Sequence, residues 1–116
     1  MNIEDEIPIF KKLYELYKLL HEFRYLIPKQ DRFTIYAKTE DALLEIIESI
    51  LKVSRLPKNE KLKDLRNIDS MLDMLRIFMR LLKDTKALDN KKYILIEKEI
   101  DEIGRMLGGW IRSLNN

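Results

Sequence analysis

Two arginines, Arg76 and Arg80, stand four residues apart inside the otherwise apolar stretch of residues 71–82. On a helix that spacing puts both guanidiniums on one face, where each offers a fork of donors matched to a carboxylate or a phosphate. Two chemistries fit the pair. Either they are tied up by Asp73 and by acids on another helix, or they are held free for an anionic partner. A denser group lies just upstream: within residues 52–66, the cations Lys52, Arg55, Lys58, Lys61, Lys63 and Arg66 face only Glu60 and Asp64. Cations at that density suit the phosphates of a polyanion, although a merely solvated turn would read the same way. Residues 86–98 lean the same way, with four cations against two acids, whereas residues 34–50 carry four acids against one cation. The charge is therefore polarised along a chain whose net charge is only +2.

Catalytic chemistry finds little footing. The chain has no cysteine and a single histidine, His21. There is thus no thiolate nucleophile, no disulfide and none of the commoner zinc sites, and a Ser-His-Asp hydrolase is not expected. A carboxylate-bridged metal pair in a helical bundle needs a Glu-x-x-His motif on each of two helices, and this sequence has none. The acidic pairs Glu40-Asp41, Glu97/Glu99 and Asp101-Glu102 are expected on outer helical faces, ion-paired with neighbours such as Arg105 four residues after Asp101. No glycine-rich loop follows a strand, so no phosphate-cradling turn is expected. Gly104, Gly108 and Gly109 fall inside a helical pattern, where glycine costs close to ~1 kcal/mol relative to alanine; close approach of a neighbouring helix is the expected compensation. No catalytic residue, metal ligand or cofactor is assigned.

The elements that must position these side chains are helical. At 116 residues with only 3 Gly and 3 Pro, the chain is one domain's length and too poor in turn formers for an all-β sandwich or barrel. Charged residues reach 36%, as expected of solvated helical faces, and 46% hydrophobic residues are too many for a disordered chain. The first six residues are acidic where a secretory signal would be basic, and the longest uninterrupted apolar run, residues 93–96, is far short of a membrane span. A cytoplasmic protein without a membrane segment is expected.

Four segments repeat apolar residues at helical spacing. The first, 8–27, carries Phe10, Leu13, Tyr14, Tyr17, Leu20, Phe23 and Ile27, and Pro28 ends it. The second, 31–55, opens at Asp31 as a candidate cap and carries Leu43, Leu44, Ile47, Ile50 and Leu51. Its opening Phe33-Thr34-Ile35-Tyr36 could locally read as a strand, but a lone strand would find no partner. In the third, 60–84, Leu65, Ile68, Leu72, Leu75, Met79 and Leu82 step by three and four, the seam of left-handed helix packing. The fourth, 89–113, begins at Asp89 as a cap and carries Ile96, Ile100, Ile103, Leu107, Trp110 and, just beyond it, Leu114. Short connections between such helices predict an all-α fold, an antiparallel up-down-up-down four-helix bundle spanning residues 1–116 as one domain. The third helix carries a second stripe, Met71, Met74, Phe78 and Leu81. It is either an unusually buried central helix or a face shared with a neighbouring subunit.

The arginine pair within residues 71–82, followed by Ile100-Asp101-Glu102-Ile103-Gly104-Arg105-Met106-Leu107-Gly108-Gly109-Trp110-Ile111-Arg112, resembles the accessory variability determinant (Avd) family of diversity-generating retroelements. It is also similar to the wider four-helix-bundle group that includes proteins encoded in intervening sequences of ribosomal RNA genes. The resemblance implies a bundle that assembles into a homo-oligomeric, pentameric ring, with Met71, Met74, Phe78 and Leu81 as candidate interface residues. It implies a non-enzymatic accessory protein that binds a reverse transcriptase and template RNA or cDNA and supports mutagenic retrohoming. Arg76, Arg80, Arg105 and Arg112 match cations of the family motif, and Gly104, Gly108 and Trp110 match its packing positions. With the 52–66 cations they form the candidate nucleic-acid or partner surface. The intervening-sequence relatives imply an alternative, a structural or protein-interaction module without direct nucleic-acid contact.

Overall fold

Pro8 sits in the first turn of a helix, where its missing N–H costs nothing, and the chain winds from there into α1 (Pro8–Phe23). The computed structural model describes residues 7–115; the acidic residues 1–6 and Asn116 lie outside them. Three further long helices follow: α2 (Ile35–Ser54), α3 (Lys58–Asp84) and α4 (Asn90–Leu114). No strand occurs among the described residues. At ~1.5 Å per residue the 27-residue α3 is ~40 Å long, and it sets the 45 Å long axis of a compact all-α body 28 by 22 Å across.

The connection between α1 and α2 departs from the periodicity. The α-helix stops at Phe23 rather than Ile27, tightening into a single 3₁₀ turn, Arg24–Leu26. Ile27 is extended, as a residue before proline prefers. Asp31 does not cap the second helix. It lies within a separate helical turn, Lys29–Arg32, and α2 begins only at Ile35, after Phe33 and Thr34 break the path. Aromatic and β-branched residues are weak helix formers, and here a better use of the backbone wins. The Arg32 guanidinium donates to two carbonyls, Nε to Ile27 (2.9 Å) and Nη2 to Tyr25 (3.0 Å), bracing the loop. At the other end of the chain Asp89 caps α4 as its type suggests, accepting from the Lys92 backbone N–H at 2.9 Å. The Lys92 ammonium, and then that bond, hold the Asp89 carboxyl below the usual range. The α3–α4 turn puts Lys86 at a positive φ of 64°, a conformation in which glycine is the unstrained residue.

The α3 seam is buried as spaced: Leu65, Ile68, Leu72, Leu75, Met79 and Leu82 all face the core, opposite Ile96, Ile100, Ile103 and Leu107 of α4. The other two helices are rotated from the spacing-based expectation. In α1 the buried residues are Ile9, Leu13, Leu16 and Leu20, while Tyr14 is exposed and Phe10, Tyr17 and Phe23 are half-buried. In α2 they include Leu43, Ile46, Ile50 and Val53, with Leu44 exposed. In α1 aliphatic side chains take the axis and the aromatics lie at the rim, where the hydroxyls of Tyr14 and Tyr17 can reach water or a partner. The second stripe of α3 is not absorbed by the core either. Met71 and Phe78 are half-buried, whereas Met74 and Leu81 remain 51% and 45% exposed.

Contacts between helices fix their relative placement. Lys61, early in α3, lies over Trp110 late in α4, and Lys83, late in α3, lies over Tyr93 early in α4. Lys12 of α1 reaches Glu99 (3.6 Å) and Glu102 (3.3 Å) of α4. Tyr36, fully buried in α2, donates its hydroxyl to the Leu20 carbonyl of α1. Burial, and then the nearby Glu40 carboxylate, push the Tyr36 phenol far above the ordinary tyrosine value of about 10. A phenol that must stay protonated in the fold contributes stability that is fully present below pH ~10 and is lost as pH rises beyond it. Thermal melts from pH 8 to 11.5 should therefore stay level to about pH 10 and then fall. Tyr36→Phe should flatten most of that fall; an unchanged alkaline slope in the variant would remove Tyr36 as its cause.

Candidate nucleic-acid interface

The basic cluster folds around the α2–α3 turn, and the structure adds to it a residue far away in sequence. Lys61 donates to the Ser54 carbonyl at 3.0 Å, and its ammonium sits 5.7 Å from the centre of the Trp110 ring. Ser54 ends α2, Lys61 lies in the first turns of α3, and Trp110 lies near the end of α4. Between them and the start of α1 opens a cleft of about 720 Å³, lined by Ile9, Met106 and Trp110 on its apolar side and by Arg55 and Lys61 on its cationic side. An aromatic ring beside cations is the pairing that single-stranded nucleic acids use, bases on the ring and phosphates on the cations.

The remaining cations divide by what they already hold. Arg55, Lys58, Lys63 and Arg66 are exposed, and no ion pair within the described residues engages them. Lys52 pairs with Glu48 one turn earlier, at 3.1 Å. Arg112 is exposed on the last turns of α4, and its guanidinium folds back along its own helix beside Gly108 and Gly109. Lys61 is committed to Ser54 and Trp110 and shapes the cleft more than it offers a free charge.

The two arginines of α3 are not equivalent. Arg76 is half-buried, with Nη1 on Asp73 at 3.0 Å and Nη2 3.6 Å from Asp101 of α4. Asp101 thus pairs across to α3 rather than with Arg105 one turn on, as its spacing suggested. Gly104 makes room for this bridge: a Cβ there would lie 2.7 Å from Arg76 Nη2. At Gly104 the neighbour is the end of the Arg76 side chain rather than a closely approaching helix backbone, and Gly108 and Gly109 meet only Arg112 of their own helix. Arg80 and Arg105 are exposed and without an ion pair among the described residues. Because Asp73 and Asp101 are solvent-exposed, the Arg76 bridge is worth only ~0–1 kcal/mol, plus the packing of its stem. Arg76→Ala should lower the melting temperature by a few degrees (about 1 kcal/mol), and Arg80→Ala should leave it unchanged within ~1–2 °C. Equal losses from the two would show that the bridge carries no distinct stabilisation.

Glu40 was missed by the outer-face reading. It is buried in α2, where Tyr17 of α1 donates to its carboxylate at 3.1 Å and His21 Nδ1 lies 3.7 Å away. Burial first, and then the Glu40 contact, raise the Tyr17 phenol above its usual range. The signal was present: Tyr36, Glu40 and Leu43 step by four and three, the spacing of one face. His21 itself is exposed and stacked against Tyr17. Among the described residues no group of three His, Cys, Asp or Glu gathers as metal ligands would. No helix there is long and apolar enough to cross a membrane.

A bAvd-like family model matches residues 8–114, from the start of α1 to the end of α4. The chain belongs to the bAvd-like family. Among curated proteins, no individual sequence matches it. The match takes in all four long helices of this bAvd-like chain, including the Arg76–Asp101 bridge, Gly104 and the cleft at Trp110.

Proposed function

We propose that this chain is a non-enzymatic Avd-type accessory protein of a diversity-generating retroelement, which binds single-stranded template RNA or cDNA together with a reverse transcriptase and so supports mutagenic retrohoming. The observation that carries the reading is the bAvd-like match over residues 8–114. In this reading the chain is one domain, an up-down-up-down antiparallel bundle. The placement of Lys61 by Trp110 and of Lys83 by Tyr93 supports that course. Copies close into a ring, a pentamer on family grounds, through the exposed second stripe of α3 at Met71, Met74, Phe78 and Leu81. The nucleic acid lies on the exposed cations Arg55, Lys58, Lys63 and Arg66, with Arg112 at the same end of the molecule and the Trp110 cleft beside them. Arg80 and Arg105 supply a further exposed basic surface for RNA or the reverse transcriptase, whereas Arg76 acts by holding α3 to α4.

A ring multiplies this modest charge. Each patch repeats in every subunit, and weak contacts on one strand add through effective concentration. A fluorescence-anisotropy titration of a single-stranded RNA at rising salt tests the reading: binding should be firm at low salt and weaken steeply as salt rises. A chain that forms no complex with RNA at 50 mM salt would instead favour the second reading, a protein-interaction module of the intervening-sequence type. The commitment of Arg76 within the chain is the observation that favours it.

A further inference from the structure

The loop that joins α1 to α2 ends the bundle in a tip of large, mostly exposed apolar side chains. Tyr25, Leu26 and Phe33 are 77%, 61% and 74% exposed. The tip is nonetheless built, because Arg32 ties it together through the Ile27 and Tyr25 carbonyls and stacks its guanidinium 5.9 Å from the Tyr25 ring. Residues 24–34 carry three cations, Arg24, Lys29 and Arg32, against one acid, Asp31. Beyond the tip, where the first three turns of α2 face α3, runs a separate groove of about 330 Å³. Ala42, Met71, Met74 and Phe78 form its apolar floor, and Asp41 and Glu45 on its rim outnumber Lys38. Neither acid has an ion partner among the described residues.

We infer that the tip of one copy seats in the α2–α3 groove of the next, a heterologous contact between two copies of this chain that closes the assembly. The inference rests on the assembly reading above and adds to it which second surface meets the α3 stripe. Shape and chemistry agree. Methionines adapt to an incoming aromatic ring and make favourable sulfur–aromatic contacts, and the groove presents two of them to a tip that carries Tyr25 and Phe33. Charge agrees as well, since a cationic tip meets an acidic rim. A tip-to-tip contact would instead bring Arg24 and Lys29 against their own copies, and like charges brought together disfavour that pairing. Because tip and groove are different surfaces, the contact repeats head to tail and forms a ring when the rotation closes.

The test uses two variants of exposed residues, Phe33→Glu on the tip and Met74→Glu in the groove, with circular-dichroism melts to confirm that both are folded. If Phe33→Glu melts early, Leu26→Glu takes its place, and Ala42→Glu likewise replaces Met74→Glu. Light scattering should find the native chain assembled and each variant alone at the 14.0 kDa of one chain. Mixed in equal amounts, the two should form a one-to-one dimer and nothing larger, because the tip of the groove variant still fits the groove of the tip variant. A mixture that stays monomeric, or either variant assembling like the native chain, overturns the tip-to-groove contact and leaves the assembly reading standing. A native chain that is itself monomeric at micromolar concentration overturns both.

Discussion

Replacing Arg55, Lys58, Lys63 and Arg66 together by alanine is expected to remove most of the affinity for single-stranded RNA and most of its dependence on salt. All four are exposed and unpaired within the described residues, so their loss should leave the bundle folded. Each phosphate contact on a single strand contributes about 0.7 to the slope of log affinity against log salt. Four contacts give a slope near −3, or about a 50-fold loss of affinity between 50 and 200 mM salt. The quadruple variant should bind about 10- to 100-fold more weakly at 50 mM and lose about 3 from the slope of log affinity against log salt. Removing Lys86 of the α3–α4 turn with Lys91 and Lys98 of the first half of α4 is the control for net charge and should matter far less. If that control weakens binding as much as the quadruple variant does, attraction to overall charge replaces a localised site. If neither matters, the protein-interaction reading gains.

The largest stability effect is expected at Leu72→Ala. Leu72 is fully buried on the α3 seam, and its Cδ2 would lie 3.7 Å from a Cβ at Gly104 of α4, so truncation leaves a void between the two helices that also hold the Arg76–Asp101 bridge. Deleting a buried leucine to alanine costs about 2–5 kcal/mol, since the lost transfer energy and the cavity add. For a chain of this length that is a fall of about 10 °C or more in melting temperature. Leu44→Ala removes the same atoms from an exposed site on α2 and should cost under ~1 kcal/mol. Melts of both variants at one protein concentration check the contrast, because assembly would raise both curves together. A Leu72→Ala loss no larger than that of Leu44→Ala would mean that the seam is not the packed core described above.

The candidate site was legible in unequal parts. The density of cations in residues 52–66 stood out in the sequence, and four of the six are exposed, with no ion pair among the described residues. That Lys61 would turn to Ser54 and Trp110 was not legible, since Trp110 lies 49 positions further along the chain and meets Lys61 only because α3 and α4 pack side by side. Arg76 and Arg80 share a helical face by spacing, yet the first faces Asp101 and the second does not. That difference depends on where α4 lies and on Gly104 having no side chain.

The sequence by itself determined that the protein is helical, where the four long helices run to within a few residues, and which side chains of α3 face the core. Those properties follow from local periodicity and from the fixed geometry of proline and of the Asp89 cap, which act within one or two turns of the chain. Tertiary structure alone decided the rotation of α1 and α2 about their axes, which sends Leu16 and Ile46 inward and leaves Tyr14 and Leu44 outside. It also decided the burial of Glu40 under Tyr17. The reason is the same in each case. A helix with two adjacent apolar rows can turn either one inward at similar local cost, and only the shape and polar groups of the neighbouring helices select between them.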